Sequence, residues 1–397
     1  MDLLPARLRD LESGREFLIL SITMIHCNGV RIQDNRLTVD RKFHVGMLRY
    51  AQTLRAPIVA INPPLAPSEK IMDAVEVPLN ELPYQIFTTT DTARMVAAIR
   101  AARLVYGYED FMQAGTMARS FGVPYIMTLE YDLQTQMVEN SSKVSGLPRK
   151  LARRARSLLN YYAHIVPAIR QAHSLHCNGY PIYEATAGYN DNRLLYLDSR
   201  MSQDSLISDG KLRVRLETLG QRTVRLLYSG RYEPMKGALD VIRVGRECLR
   251  RGMNIEMHCY GQGSQHDAMV ALAGDSAIKV HAAIPYPELV KLAHTFDLFV
   301  CCHIQSDPSC TYLESMGAGL PIAGYENRMW RGLRQASAAG AASPLGNPGQ
   351  VVDSIQRLLS EPNFLQKASA NALSFARAHT FETEFQKRVA ALNSAAS

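Results

Sequence analysis

No stretch of the 397 residues approaches the roughly 20 consecutive apolar positions that a membrane span requires. The apolar run at 17–25 is too short, acidic residues precede it, and no small-residue cleavage site follows. It therefore predicts neither a span nor a secretory signal. Paired cysteines are missing as well. Cys27, Cys177, Cys248, Cys259, Cys301, Cys302 and Cys310 form no CxxC and are odd in number, and several lie in apolar runs. That pattern predicts buried free thiols in a reducing compartment, hence a cytoplasmic protein. Neither HExxH nor an Asp-x-Asp spacing occurs, so no metal centre is expected. There is no short-period repeat. What remains is an ordinary globular composition, 47% hydrophobic and 20% charged, with a net charge of +7 that favours anionic partners.

Short apolar runs alternate with helix-period segments from end to end. Strand candidates are 17–22, 57–62, 103–108, 124–129, 174–178 and 193–197, with helical patterns such as 43–54 and 111–122 between them. The pattern restarts with 224–230, 254–261, 277–282, 297–302 and 320–325. Apolar, non-alternating strands separated by helices predict parallel sheets covered on both faces. The restart after the polar stretch 199–223 predicts two such domains, 1–218 and 219–397. Segment 335–349 reads as a surface loop, and 381–393 as an amphipathic helix. In open α/β sheets ligands bind beyond the carboxyl ends of the strands, so polar residues just after a strand carry the most weight.

Two stretches stand out on that criterion. LLYSGRYEPMKG (226–237) places Arg231 and Lys236 between a strand and a helix start. One reading is a solvated basic loop; the other is an anion site, since a helix N-terminus offers unpaired N–H groups and a positive dipole end. SDPSCTYLESMGAGLPIAGYEN (306–327) follows the strand DLFVCC. Asp307 and Pro308 suit a helix start, and Thr311 with Glu314 has the capping-box spacing, so local structure alone accounts for both acids.

The combination resembles the GT-B glycosyltransferases, specifically the retaining glycosyltransferase family 4. GRYEPMKG is similar to the family's G-R-x-x-x-x-K-G segment, and the stretch around Glu314 to its signature helix. HCYGQGSQ (258–265) and IKVHAAIPYPELVKLAHTFDLFV (278–300) lie between them in the family's order. The likeness covers roughly 222–360. It implies two Rossmann-like doubly wound domains facing across a cleft, an acceptor-binding first domain and a donor-binding second one. It also implies a last helix, about 380–395, returning to the first domain. A nucleotide-diphospho-sugar would be the donor substrate, with no cofactor, and a glycan or lipid-linked glycan the acceptor, in cell-surface polysaccharide or glycoconjugate biosynthesis. Arg231 and Lys236 would stabilise the departing diphosphate, and the backbone N–H groups of Ser309, Cys310 and Thr311 would complete its cradle. Glu314 would accept from the ribose hydroxyls, Gly261 would form the strand-G-x-G turn, and His281 to Ile284 would flank the base. One position departs from the family: the first signature acid falls on Ser306, leaving Asp307 as its substitute one residue on.

In the first half, the loop with His26, Asn28 and Gly29 is a candidate for donor phosphates and acceptor, or an ordinary βα loop. Glu130 and Asp132 follow a strand and are candidates for acceptor activation, or solvated carboxylates. His26, His44 and His176 read equally as core, surface or catalytic residues. Segment 148–166 predicts an amphipathic helix. Leu151, Ala155, Leu158, Leu159, Tyr162, Ile165 and Val166 share one face, Arg149, Lys150, Arg153 and Arg156 the other, and Arg154 the edge. That basic face is either solvated or rests on an anionic membrane, which would make the protein peripheral to the inner face of the cytoplasmic membrane. Rival classes are a nucleotide-sugar epimerase of the same fold, a non-catalytic nucleotide-sugar binder, and a nucleic-acid-binding protein. The last is disfavoured because aromatics do not alternate with Lys and Arg.

Overall fold

The computed structural model describes residues 7–9, 16–18, 20–66, 69, 71, 73–142 and 144–397. Most of the N-terminal segment read above as lacking a secretory signal lies outside the described residues. The chain divides into two units. The first comprises Met1–Asn178, Ile182–Tyr196 and Gln386–Ser397, and the second Gly179–Pro181 and Leu197–Phe385.

The first unit is built on seven parallel strands: β1 (Ser21–Ile25), β2 (Ile58–Asn62), β3 (Gln85–Thr88), β4 (Ala102–Tyr108), β5 (Tyr125–Leu129), β6 (Ser174–Asn178) and β7 (Arg193–Tyr196). Their order is β7-β6-β5-β4-β1-β2-β3. The second unit has six: β8 (Val224–Ser229), β9 (Ile255–Tyr260), β10 (Ile278–His281), β11 (Leu298–Cys301), β12 (Ile322–Tyr325) and β13 (Gly340–Ser343), in the order β10-β9-β8-β11-β12-β13. β1, β2, β5, β6, β11 and β12 are buried throughout, which is why their sequences show apolar runs and no alternation. Chain order reverses between β1 and β4 in one sheet and between β8 and β11 in the other. In open α/β sheets such switch points are where a crevice forms beyond the strand ends.

Three expectations need correction. The units part at Tyr196/Leu197 and not near 218. Helix Asp209–Glu217 belongs to the second unit because Ile207 and Leu212 pack with Leu373. Arg215 of that helix also donates to the carbonyls of Ala318 (2.8 Å) and Gly319 (2.7 Å). Segment 335–349 is no loop: it contains the edge strand β13, where Gly340 lies so close to β12 that a Cβ would sit 2.1 Å from the Ile322 carbonyl oxygen. Its small residues conceal a strand because they serve close approach and not side-chain packing. Finally, the region after β1 forms a hairpin, Arg31–Gln33 with Arg36–Asp40, joined by Asp34 and Asn35 at positive φ and extended by Ala74–Pro78. Asp and Asn tolerate that left-handed conformation, which matches the strands' twist.

All seven cysteines are free; Cys27 is exposed and Cys310 partly so, while the other five are buried. Among the described residues no helix is long and apolar enough to cross a membrane.

Candidate functional site

The second unit's switch point gathers the residues with the strongest claim to chemistry. β8 delivers Arg231 and Lys236, and β11 delivers His303 and Asp307. Tyr228 at the end of β8 donates its hydroxyl to the Arg231 carbonyl (3.0 Å). Tyr232 is fully buried and donates to the His281 carbonyl (2.7 Å). Glu233 accepts from the Ser264 amide (2.9 Å) and hydroxyl (2.6 Å), and those bonds hold its carboxyl below the usual range. The loop between strand and helix is thus stapled to the neighbouring strand ends. Two glycines permit the approach. Gly237 is left-handed (φ 61°) and a Cβ there would lie 1.9 Å from the Cys302 carbonyl oxygen. At Gly261 a Cβ would meet the Gly230 carbonyl oxygen at 1.9 Å. Gly261 therefore earns its place by backbone packing.

Lys236 is buried, and its Nζ contacts Asp307 Oδ2 at 2.5 Å. Burial pushes the Asp307 carboxyl up, but the Lys236 ammonium and the hydrogen bonds it accepts from Lys236 and Gln305 help hold the group below its usual range. Arg231 is exposed and makes no ion pair among the described residues. Nearby His303 is fully buried with neither ring nitrogen hydrogen-bonded. Burial, then Lys236, lowers its pKa to about 3, so it is neutral. His303 escaped the sequence reading although it follows a strand directly, the position weighted most.

Asp307 does not cap the helix, as its place before Pro308 suggested. The helix begins at Thr311, because the Asp307 carboxylate is committed to Lys236. The capping box also fails to form: the Thr311 hydroxyl pairs with that of Ser309 (3.0 Å), and the N-cap, Cys310, has no side-chain cap bond. The Ser309 amide is spent on the Asp307 carbonyl (2.8 Å), which removes it from the expected backbone cradle. Ser306, where the family acid was expected, accepts from the Arg328 amide (3.1 Å).

Glu314 lies instead beside Arg200, whose Nε donates to Oε1 at 2.7 Å and whose guanidinium sits 4.1 Å over the Tyr286 ring. Glu314 Oε2 has no hydrogen-bond partner although it is buried. It is an acceptor without a donor, which is costly unless something supplies one. Neither Arg200 nor Tyr286 was singled out from the sequence. Arg200 sits in the polar stretch after the first unit, and nothing local announces its partner. The His281 ring lies 4.5 Å from that of Tyr260 and 5.3 Å from that of His258, with Ile284 partly exposed three residues on.

In the first unit, His26 is buried against Phe43 (5.0 Å between rings) and near Tyr108 (5.9 Å). Burial lowers its pKa to about 4. Asn28 is exposed and its carbonyl accepts from Asn62 (3.0 Å); Gly29 packs on Leu65. Asp132 is buried, not solvated, and accepts from the Thr135 amide (2.8 Å) as the cap of helix Leu133–Ser142. Asp132→Ala is expected to cost at least about 1 kcal/mol of stability, measurable by urea unfolding. The acid with the most unusual environment is one the sequence reading passed over, Glu109, just beyond β4. Burial, then Asp110 and Glu130, pushes its carboxyl up to about 8.

The buried imidazoles also predict acid sensitivity. His26, His176 and His303 titrate at about 4, 3 and 3 when folded and near 6.5 when unfolded. Their contribution is complete above about pH 6.5 and is lost as pH falls toward 4, because the unfolded chain takes up the protons first. Melting temperature is expected to drop steadily from pH 7 to 4.5, with a shallower slope in His26→Gln. An unchanged slope would reject the assignment.

Among the described residues no group of three His, Cys, Asp or Glu is arranged to hold a metal ion. Residues 223–361 match the family Glycosyl transferases group 1. No curated protein matches the sequence. Among solved structures, HepE from Anabaena in complex with UDP is similar, with a TM-score of 0.65 and 13% identity over 94% of this chain and all of that one. Sucrose-phosphate synthase from Thermosynechococcus elongatus gives 0.63 and 13% over 95% and 100%. WaaG, a glycosyltransferase involved in lipopolysaccharide biosynthesis, gives 0.56 and 13% over 93% and 98%. The chain has the GT-B fold, and the family match is confined to its residues 223–361.

Proposed function

We propose that this chain is a glycosyltransferase that moves a sugar from a nucleotide-diphospho-sugar to a glycan or lipid-linked glycan, with retention and without a metal, in cytoplasmic assembly of a polysaccharide or glycoconjugate. The observation that carries the reading is the cluster at the β8/β11 switch point: Arg231, a cation with no ion pair among the described residues, and the buried Lys236–Asp307 pair. Charge accumulates on a departing diphosphate, and a fixed guanidinium fork with an ammonium stabilises it without rearrangement. Glu314 Oε2, a buried acceptor lacking a donor, suits ribose hydroxyls. Asp307 stands in for the acid absent at Ser306. HepE has been solved in complex with UDP and with UDP-glucose, which supports a uridine nucleotide as the first donor to try.

The Ser306 departure favours one second reading, a binder of nucleotide sugars without transfer. A thermal-shift screen over nucleotide sugars separates these from no binding at all: ligand at 100 times its dissociation constant adds about 2.7 kcal/mol. Nucleotide diphosphate release that depends on a glycan acceptor then supports transfer. Release or isomerisation without acceptor points to an epimerase, and binding without turnover to the second reading.

A further inference from the structure

The amphipathic segment at 148–166 does not pack as its pattern suggests. Ile165 and Val166 are buried, but of helix Leu147–Asn160 only Ser157 is. Leu147 and Leu159 are each 70% exposed, Leu151 and Tyr162 each 55%, and Leu158 42%. The reason is that a different face docks. Ser157 accepts from Asn140 (3.0 Å) and Arg154 reaches Ser141 (3.4 Å), so helix Leu133–Ser142 holds the polar edge and leaves the leucines outside.

At about 100° per residue, Leu147, Leu158, Leu151, Ala155 and Leu159 occupy an arc about 120° wide. Arg156 and Arg149 lie about 60–80° beyond Leu159 on one side, and Arg154 borders Leu147 about 20° away on the other. Arg153 and Lys150 follow on the back. The helix contains no acid, and the helix beneath it contributes one, Glu139. An exposed apolar arc flanked by cations is the pattern of a helix lying in a lipid–water interface, its leucines among the acyl chains and its cations at headgroup level.

We propose that helix Leu147–Asn160 is an interfacial anchor that inserts Leu147, Leu151, Leu158 and Leu159 into an anionic bilayer. The occupant is a lipid surface and not an acidic protein, because an acidic partner would need only the cations, whereas Leu147, Leu151, Leu158 and Leu159 are exposed between them as an acyl boundary requires. Insertion goes beyond the basic face resting on a membrane: it makes the leucines necessary as well as the cations. This inference stands independently of the glycosyl-transfer reading.

The protein is expected to co-sediment with phosphatidylcholine vesicles containing phosphatidylglycerol, and not with phosphatidylcholine alone. Each cation near such a surface adds about fivefold to affinity. Replacing Arg149 and Arg156, which border the arc, by Gln should therefore weaken binding about 25-fold, and about 1 M salt should abolish it. Leu151→Ser with Leu159→Ser should weaken binding roughly ten- to a hundredfold with all charges retained. Both sites are exposed, so an unchanged melting temperature checks the fold. Trp330 is the only tryptophan and is buried, so Leu159→Trp gives a clean reporter. Its emission should shift to the blue with phosphatidylglycerol and be quenched by brominated acyl chains. Absence of co-sedimentation, or full binding by the double serine variant, would overturn insertion. So would a dimer of the free protein that the double serine variant converts to monomer, which would make a second copy the occupant.

Discussion

Arg231→Ala is expected to lower turnover with the cognate donor at least ~100-fold, the scale of removing one donor aimed at a transition-state charge. Melting temperature should barely move, because Arg231 is exposed and makes no ion pair among the described residues. Lys236→Ala should lose as much activity and also destabilise the fold. A loop position by itself would make the removal of Lys236 harmless to folding. Its burial beside Asp307 reverses that expectation, since deleting one partner leaves a buried carboxylate uncompensated at a cost of about 3–5 kcal/mol. Lys236→Ala combined with Asp307→Ala should recover much of that stability and none of the activity. Urea unfolding and steady-state assays on the four proteins separate the two roles. Near-normal turnover by Arg231→Ala would end the diphosphate assignment.

For Glu314→Gln the expected result is nucleotide binding weakened about tenfold or more, with a small change in stability. A hydrogen bond to a charged acceptor contributes about 1.5–3 kcal/mol, which sets the scale for losing ribose contacts. Two structural roles are too weak to mimic this. The capping box does not form. The pair with Arg200 involves a half-exposed guanidinium, so its loss costs less than about 1 kcal/mol. Calorimetric titration of the nucleotide and a melting curve of the same sample decide the matter. Unweakened binding with a clear fall in melting temperature would assign Glu314 to the fold alone.

The architecture was legible because a parallel sheet covered on both faces writes itself as apolar runs, and most of β1 to β12 announced themselves that way. β3 and β13 did not, and the small-residue β13 hides because close approach to β12 demands small residues and not β-branched ones. Arg231, Lys236, Asp307 and Glu314 were legible as candidates because each follows a strand at the carboxyl edge of a sheet, where ligands gather. Their partners were not. That Lys236 donates to Asp307, that Arg200 holds Glu314 from 114 residues away, and that helix Leu147–Asn160 docks by its polar edge are three-dimensional outcomes. Sequence period determines which side chains share a face, because the helix and strand repeats are local. Which face is then buried, and which charges meet, depends on distant segments competing for the same contacts, and only the tertiary structure decides that.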